Sequence, residues 1–338
     1  MKNGFINLNS NIRILASASA VGKKEGEGPL GSLFDHIIAD SFCGKASWEQ
    51  AESCLQQTAF EAAVKKAGLR PGEAGCIFAG DLLANSAGSV YGAGEAGLPF
   101  FGVYGACSTA AETIILASAL LTGGLAERCA CVTSSHFCTA ERQFRTPLEY
   151  GGQRAPTAQW TSTAAGAFIL SARAEKTQNA RLPRVVCATA GRIIDKGVTD
   201  TSNMGAAMAP AAFDTISRHL VSRGASPSDY DLIATGDLGF IGGEILLGLF
   251  AEHGVSLANY TDCGRLIYDR VGQDVHSGGS GCGCSASVLS AYILPKLISG
   301  EYRRVLFCPT GAMMSVTTSQ QKQSIPGICY AVEIECGE

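Results

Sequence analysis

Between Val103 and Leu120 the chain reads Val-Tyr-Gly-Ala-Cys-Ser-Thr-Ala-Ala-Glu-Thr-Ile-Ile-Leu-Ala-Ser-Ala-Leu, a helical pattern that is apolar almost all the way round. Such a helix has no face to give to water, so it belongs in the centre of a fold. The run from Phe100 to Tyr104 predicts a buried strand before it, with Gly105-Ala106 as a tight junction. Cys107 then stands at the helix mouth. First-turn N–H groups lack intrahelical partners there, and the helix dipole adds partial positive charge. That setting predicts a thiol biased toward thiolate, a candidate nucleophile. The competing reading is one more small buried hydrophobe. With 14 cysteines in 338 residues the two stand level.

The pattern occurs twice. Gly279-Ser-Gly-Cys-Gly-Cys-Ser-Ala286 opens a second apolar helix that stops at Gly300 and leads through Arg303 and Arg304 into a strand, Val305 to Cys308. The first helix stops at Gly123-Gly124 and leads through Glu127 and Arg128 into a strand from Cys129 to Thr133. Asp231-Leu-Ile-Ala-Thr-Gly-Asp-Leu238 echoes Cys76-Ile-Phe-Ala-Gly-Asp-Leu82. Recurrence of the same order of elements implies a duplicated βα unit. The predicted organisation is α/β, with two pseudo-twofold halves, 1–180 and 181–338, whose equivalent helices meet in the middle. Further strands are predicted at Ile12 to Ala18, Ala164 to Ser171 and Arg184 to Arg192. Helices are predicted at Trp48 to Ala67 and Ala211 to Arg223, with loops at Val21 to Gly31 and Ile193 to Pro210.

Composition narrows the function classes. At 46% hydrophobic and 17% charged, the chain must bury much of itself. A net charge of −4 without a basic stripe argues against a nucleic-acid footprint. The cysteine spacings do not form two successive CxxC pairs, so no zinc site or other metal is expected, and most cysteines read as reduced core residues. The first twenty residues lack a signal-peptide core, and the apolar runs look too short to span a bilayer.

Several residues are candidates for a site at Cys107. Ser134, Ser135 and His136 leave the strand that follows its helix. Arg142 and Arg145, in the polar insert after that strand, carry guanidinium forks suited to carboxylates. Met204 and Met208 offer walls, and Asp81 and Asp237 occupy equivalent strand ends in the two halves.

A duplicated α/β unit with Gly-Ala-Cys-Ser-Thr at a central helix mouth resembles the thiolase and ketoacyl-synthase superfamily. Val21 to Gly31, Ala79-Gly-Asp-Leu-Leu83, Thr133 to Arg145, Met204 to Ala212 and Gly278 to Cys282 are similar, in order, to the stage V sporulation protein AD family of endospore-forming bacteria. The resemblance implies a duplicated thiolase-like fold in α-β-α-β-α layers and a homodimer. It implies binding of dipicolinic acid, with calcium binding left open, and association with the other SpoVA membrane proteins that move calcium dipicolinate into the forespore. It also implies a peripheral place on the cytoplasmic side of the spore inner membrane, and no cofactor. A condensing enzyme of the superfamily carries Asn or His where this chain has Thr235-Gly236-Asp237-Leu238. An acid there opposes a developing enolate. His276-Ser-Gly-Gly-Ser-Gly281 resembles the degradative-thiolase histidine motif one residue short. The expectation is a ligand-binding protein without condensing chemistry, using Cys107, Ser134, Ser135, His136, Arg142, Arg145, Met204 and Asp237. The alternative is an active condensing enzyme with Cys107 as nucleophile.

Overall fold

The computed structural model describes residues 3–144, 154–173 and 181–336. Its main sheet is built from β1 (Phe5–Gly22), β2 (Cys76–Gly80), β3 (Phe100–Gly102), β4 (Arg128–Ser135), β5 (Ala164–Ser171), β6 (Arg184–Thr189), β7 (Leu232–Thr235), β8 (Tyr260–Asp262), β9 (Arg304–Cys308) and β10 (Ala331–Glu335). The strands follow one another in the order β8-β7-β9-β10-β6-β1-β5-β4-β2-β3, and a short strand, His36–Ile38, pairs with the end of β1.

Outward from the antiparallel β6–β1 pair, the two arms of the sheet match strand for strand. β1–β5 and β6–β10 are antiparallel, as are β5–β4 and β10–β9. β4–β2 and β9–β7 are parallel, as are β2–β3 and β7–β8.

The helices used below are α1 (Trp48–Lys66), α2 (Ala87–Gly94), α3 (Thr109–Thr122), α4 (Phe137–Phe144), α5 (Met204–Arg223), α6 (Gly239–Glu252) and α7 (Cys282–Ser299), the last with a π-helical turn at Leu289–Ile293. Successive side chains of a strand point to opposite faces, so a strand that is apolar throughout feeds two cores. Cys76 and Phe78 of β2 enter the central core, while Ile77 and Ala79 enter the outer core of the first arm. Val305 and Phe307 of β9 enter the central core, while Leu306 and Cys308 enter the outer core of the second arm. Ala110 and Ile114 of α3 share the central core with Ala286, Val288 and Leu289 of α7. Leu55, Ala59 and Phe60 of α1 fill the first outer core, and Met208, Ile216 and Phe250 of α5 and α6 the second. The layers are therefore helix, sheet arm, central helices, sheet arm, helix. The thiolase-like α/β fold read from the sequence is the fold observed.

Four local expectations need correction. The Phe100–Tyr104 run is not buried: β3 is an edge strand, with Phe100 38% and Phe101 46% exposed, and among the described residues no further strand pairs with its outer edge. The Val21–Gly31 loop begins with a one-turn helix, Lys23–Gly26, that buries Glu25. The Ile193–Pro210 loop ends early, since Asn203 caps α5 by accepting the Ala206 N–H and Pro210 lies inside the helix rather than before it. Finally, α7 is long and apolar enough to cross a membrane by length and composition, yet most of it is buried between the sheet arms.

Two glycines set the distance between α7 and the first arm. A Cβ on Gly283 would lie 2.0 Å from the Ala164 carbonyl oxygen, and one on Gly166 would lie 2.6 Å from the Ala286 carbonyl carbon. These are backbone atoms that no rotamer change can move aside. Gly283→Ala is expected to destabilise the chain by about 1–3 kcal/mol through overpacking, read as a lower denaturant midpoint. A wild-type midpoint would show that α7 and β5 separate without cost.

Candidate functional site

The site grows out of the turn between β3 and α3. The Val103 N–H donates to the Ala79 carbonyl (2.9 Å), and the Ser108 hydroxyl donates to the Gly105 carbonyl (2.6 Å). Gly80 makes room for this turn, since a Cβ there would sit 2.1 Å from the Val103 carbonyl oxygen. Ala106 takes a left-handed φ of 51° and presents Cys107 to a cavity of about 560 Å³. Leu82, Leu83, Met204 and Met314 form apolar walls, and Asn85, Tyr104, Thr161 and Ser280 add polar groups. Asn85 and Ser86, also on the wall, have left-handed φ values of 59° and 50°. Non-glycine residues held in that region gather at functional sites.

Three helices of eight residues or more begin at this cavity, and a short helix, Val316–Gln320, starts on its wall as well. Ser86 precedes α2, Ala106 and Cys107 precede α3, and Met204 is the first residue of α5. Helix N-termini favour negative charge. No lysine, arginine or histidine is among the described lining residues.

Cys107 is not poised as a thiolate. Burial raises its pKa well above the usual thiol value, the neighbouring Asp237 and Cys282 raise it further, and a contact with Ser280 Oγ at 3.7 Å only partly offsets them. Desolvation and the acid oppose the dipole effect expected from sequence. Asp237 lies behind Cys107 and Ser280 rather than on the cavity wall. One carboxylate oxygen accepts Ser280 Oγ–H (2.9 Å) and the Gly281 N–H (3.1 Å), and the other accepts Thr310 Oγ1–H (2.8 Å). Burial pushes its pKa up, although the bonds from Cys107, Thr310, Gly281 and Ser280 work the other way. Its twin Asp81 braces its own loop by accepting the Leu83 and Ser89 N–H groups at 2.8 and 2.7 Å.

Of the other described residues expected to form the site, Met204 joins Cys107 on the cavity wall. Ser134 is buried against α1, donating to Glu52 (3.0 Å) and accepting from Gln56 (2.9 Å). Glu52 itself is pushed up to about 8 by burial and by Asp81. Ser135 donates to the Ser162 carbonyl at 2.7 Å. His136 Nδ1 accepts the Cys138 N–H, which leaves Nε2 to donate to the Ser41 carbonyl at 2.9 Å, and burial lowers its pKa. Arg142 pairs with Glu49 and lies 5.6 Å from the Trp48 ring. These four face other surroundings because β4 ends in close packing against α1 and β5, not at the cavity. Met208 is in the second outer core. Arg145 lies outside the described residues. His276 is held by the Ala155 carbonyl (2.8 Å) and Asp274 (3.1 Å).

Ser280 lies within the glycine-rich segment visible in the sequence, but Asn85, Tyr104, Thr161 and Met314 carry no motif. A second cluster, Cys187, His219 and Glu333, has metal-ligand chemistry and is fully buried. Its charge is already balanced. Arg304 and Arg223 both bond Glu333 Oε1, at 2.9 and 3.3 Å, and Tyr230 donates to Oε2 at 2.9 Å. Thr189 holds His219 Nδ1 at 2.9 Å. Cys43 and Cys54 form a disulfide, and among the twelve free cysteines only Cys138 is not buried.

Residues 3–335 match the family described as stage V sporulation protein AD. The stage V sporulation protein AD of Bacillus subtilis (strain 168) is 43% identical over 325 residues, covering 96% of this chain and 94% of that one. The chain belongs to the stage V sporulation protein AD family. Its fold is also that of solved condensing enzymes. A point variant of Xanthomonas campestris OleA aligns with a TM-score of 0.62 at 16% identity, over 96% of this chain and 98% of that one. The tetronic acid condensing enzyme AbyA1 gives 0.60 at 17%, over 96% and 99%. The 3-oxoacyl-[acyl-carrier-protein] synthase III of Aquifex aeolicus VF5 gives 0.55 at 11%, over 96% and 99%.

Thiol labelling checks the state of Cys107 in this family member. With iodoacetamide at neutral pH and peptide mapping by mass spectrometry, Cys138 is expected to be alkylated before Cys107. Earlier labelling of Cys107 would restore the activated-thiolate reading.

Proposed function

We propose that this sporulation-family chain binds dipicolinic acid in the Cys107 cavity and carries out no condensation. In this reading it serves, with other SpoVA membrane proteins, the uptake of calcium dipicolinate into the forespore. It works from a peripheral position on the cytoplasmic side of the inner forespore membrane.

The observation that carries the reading is the make-up of the cavity. Its walls are largely apolar, which suits a flat ring, and three helix N-termini open on it, which suits carboxylates. A condensing site needs an activated thiolate and neutral or cationic partners for the oxyanion and enolate. Here burial raises the pKa of the thiol and a carboxyl stands behind it. Acyl transfer is the second reading, favoured by the place of Cys107 on the cavity wall and by the fold shared with condensing enzymes.

Calorimetric titration separates them. Wild type is expected to bind dipicolinate and to bind benzoate, with one carboxylate fewer, more weakly. Cys107→Ala should keep affinity within about tenfold, since a thiol is a weak hydrogen-bond donor. Cys107→Phe should abolish binding by filling the cavity. Equal affinity for benzoate, or unchanged binding by Cys107→Phe, places the ligand elsewhere. Labelled acetyl-CoA should leave no label on Cys107, and stoichiometric acylation with product release would establish the enzyme.

The proposal includes a homodimer formed across β3. A sheet edge with unpaired backbone groups invites strand pairing. Around this edge Phe100, Phe101, Tyr104, Leu116 and Leu125 are exposed, more apolar surface than scattered single residues would give. Light scattering should give a dimer for wild type and a monomer for Phe101→Asp. A monomeric wild type removes the dimer from the proposal.

A further inference from the structure

We infer that the cavity takes up a dianionic ligand together with one proton, held by Asp237 behind Cys107 and Ser280. This rests on the dipicolinate reading above and concerns how the site balances charge.

The argument starts from the charges present. Dipicolinate is a dianion near neutral pH, because both carboxyl groups ionise well below it. Asp237 adds a third negative charge at the cavity floor when ionised. Each helix N-terminus supplies about half a positive charge, so α2, α3 and α5, with the mouth of α7 whose Gly281 N–H already meets Asp237, offer about 2 by the same rule. That is comparable with the dianion and falls short of the dianion plus a carboxylate. No cationic side chain is among the described lining residues to make up the difference.

The titratable side chains facing Asp237 do not supply positive charge. Cys107 comes from the mouth of α3, Cys282 and Cys284 from α7, and Asp262 from the end of β8. Asp262 is itself pushed up to about 7, by burial first and in part by Asp237, and its oxygens accept the Leu238 and Gly239 N–H groups at 2.8 and 2.9 Å. Among the described side chains, a protonated Asp237 lowers the negative charge locally, and its burial favours the neutral acid.

The hydrogen bonds show what that proton does. With Asp237 ionised, the Ser280 hydroxyl donates inward to it at 2.9 Å. With Asp237 protonated, the acid O–H donates to Ser280 Oγ, and the serine proton is released toward the cavity that Ser280 lines. The same proton removes a repelling charge and converts Ser280 into a donor for a ligand carboxylate. The proton comes from solvent, and no covalent bond to the ligand forms.

The test is titration of the full chain with dipicolinate in phosphate and in Tris, buffers whose ionisation heats differ. At pH 7 the wild type should take up about one proton per ligand. Its affinity should fall about tenfold per pH unit between the Asp237 pKa values of the free and bound chain. Asp237→Asn should bind without proton uptake and with affinity independent of pH. Ser280→Ala should retain uptake and lose roughly tenfold or more in affinity, the scale of a hydrogen bond to a charged group. Binding by the wild type with no dependence on buffer overturns the inference and leaves the dipicolinate reading standing. So does uptake that persists in Asp237→Asn. Ser280→Ala binding as tightly as wild type overturns the relay. No heat at any pH removes the dipicolinate reading and this inference with it. The wild-type comparison needs no variant to fold.

Discussion

The mouth of α7 touches three other segments with no side chain of its own between, and the site is set by that approach. A Cβ on Gly283 would strike the Ala164 carbonyl, one on Gly281 would come within 2.5 Å of Ser135 Oγ, and one on Gly278 would come within 2.7 Å of the Gly264 carbonyl oxygen. These contacts pin the segment between the two sheet arms. Ser280 is thereby fixed at the cavity floor, and the Gly281 N–H is delivered to Asp237. The duplicated fold supplies the opposite wall through the Cys107 turn. Most of α7 is buried between the arms, whereas α3 leaves Leu116 exposed.

The electrostatics of the cavity follow from the same arrangement. Burying an ammonium or guanidinium group beside apolar walls would demand a paired acid. Helix ends supply smaller, fixed positive charges that need no counterion. The cost appears at Cys107, where desolvation and a neighbouring acid work against the thiolate. One thiol at one helix mouth therefore has opposite character according to whether the group behind it is an acid or a base.

Much of the fold was legible because its cause is periodic. The echo of Cys76–Leu82 in Asp231–Leu238 and the two Gly-stopped apolar helices are local patterns, and they correspond to matching strands and central helices. The site was less legible because its wall is assembled from separate turns: Leu82–Ser86, Tyr104–Cys107, Met204 and Met314–Thr317. Proximity in sequence misled at β4. Ser134, Ser135 and His136 follow the Cys107 helix, but hydrogen bonds to Glu52, Ser162 and Ser41 hold them in packed surroundings. Tertiary partners, not sequence position, also decided Asp237. Its Gly-Asp-Leu segment matches that of Asp81, yet its partners Ser280, Gly281 and Thr310 come from distant segments, where Asp81 is held by Leu83 and Ser89 of its own loop.

The order of the strands has a consequence for how the chain is made. In each arm the strand that comes last in sequence is an interior strand: β5 inserts between β1 and β4, and β10 between β6 and β9. The first arm can zip up once Ser171 has left the ribosome. The second must hold a gap between β6 and β9 until Ala331–Glu335 arrives, with two facing unpaired edges exposed in the meantime. Such edges are templates for wrong pairing. A nascent chain stalled before β10 is thus a more hazardous species than one stalled anywhere in the surface helices, and loss of that final strand would leave an open seam through the middle of the sheet.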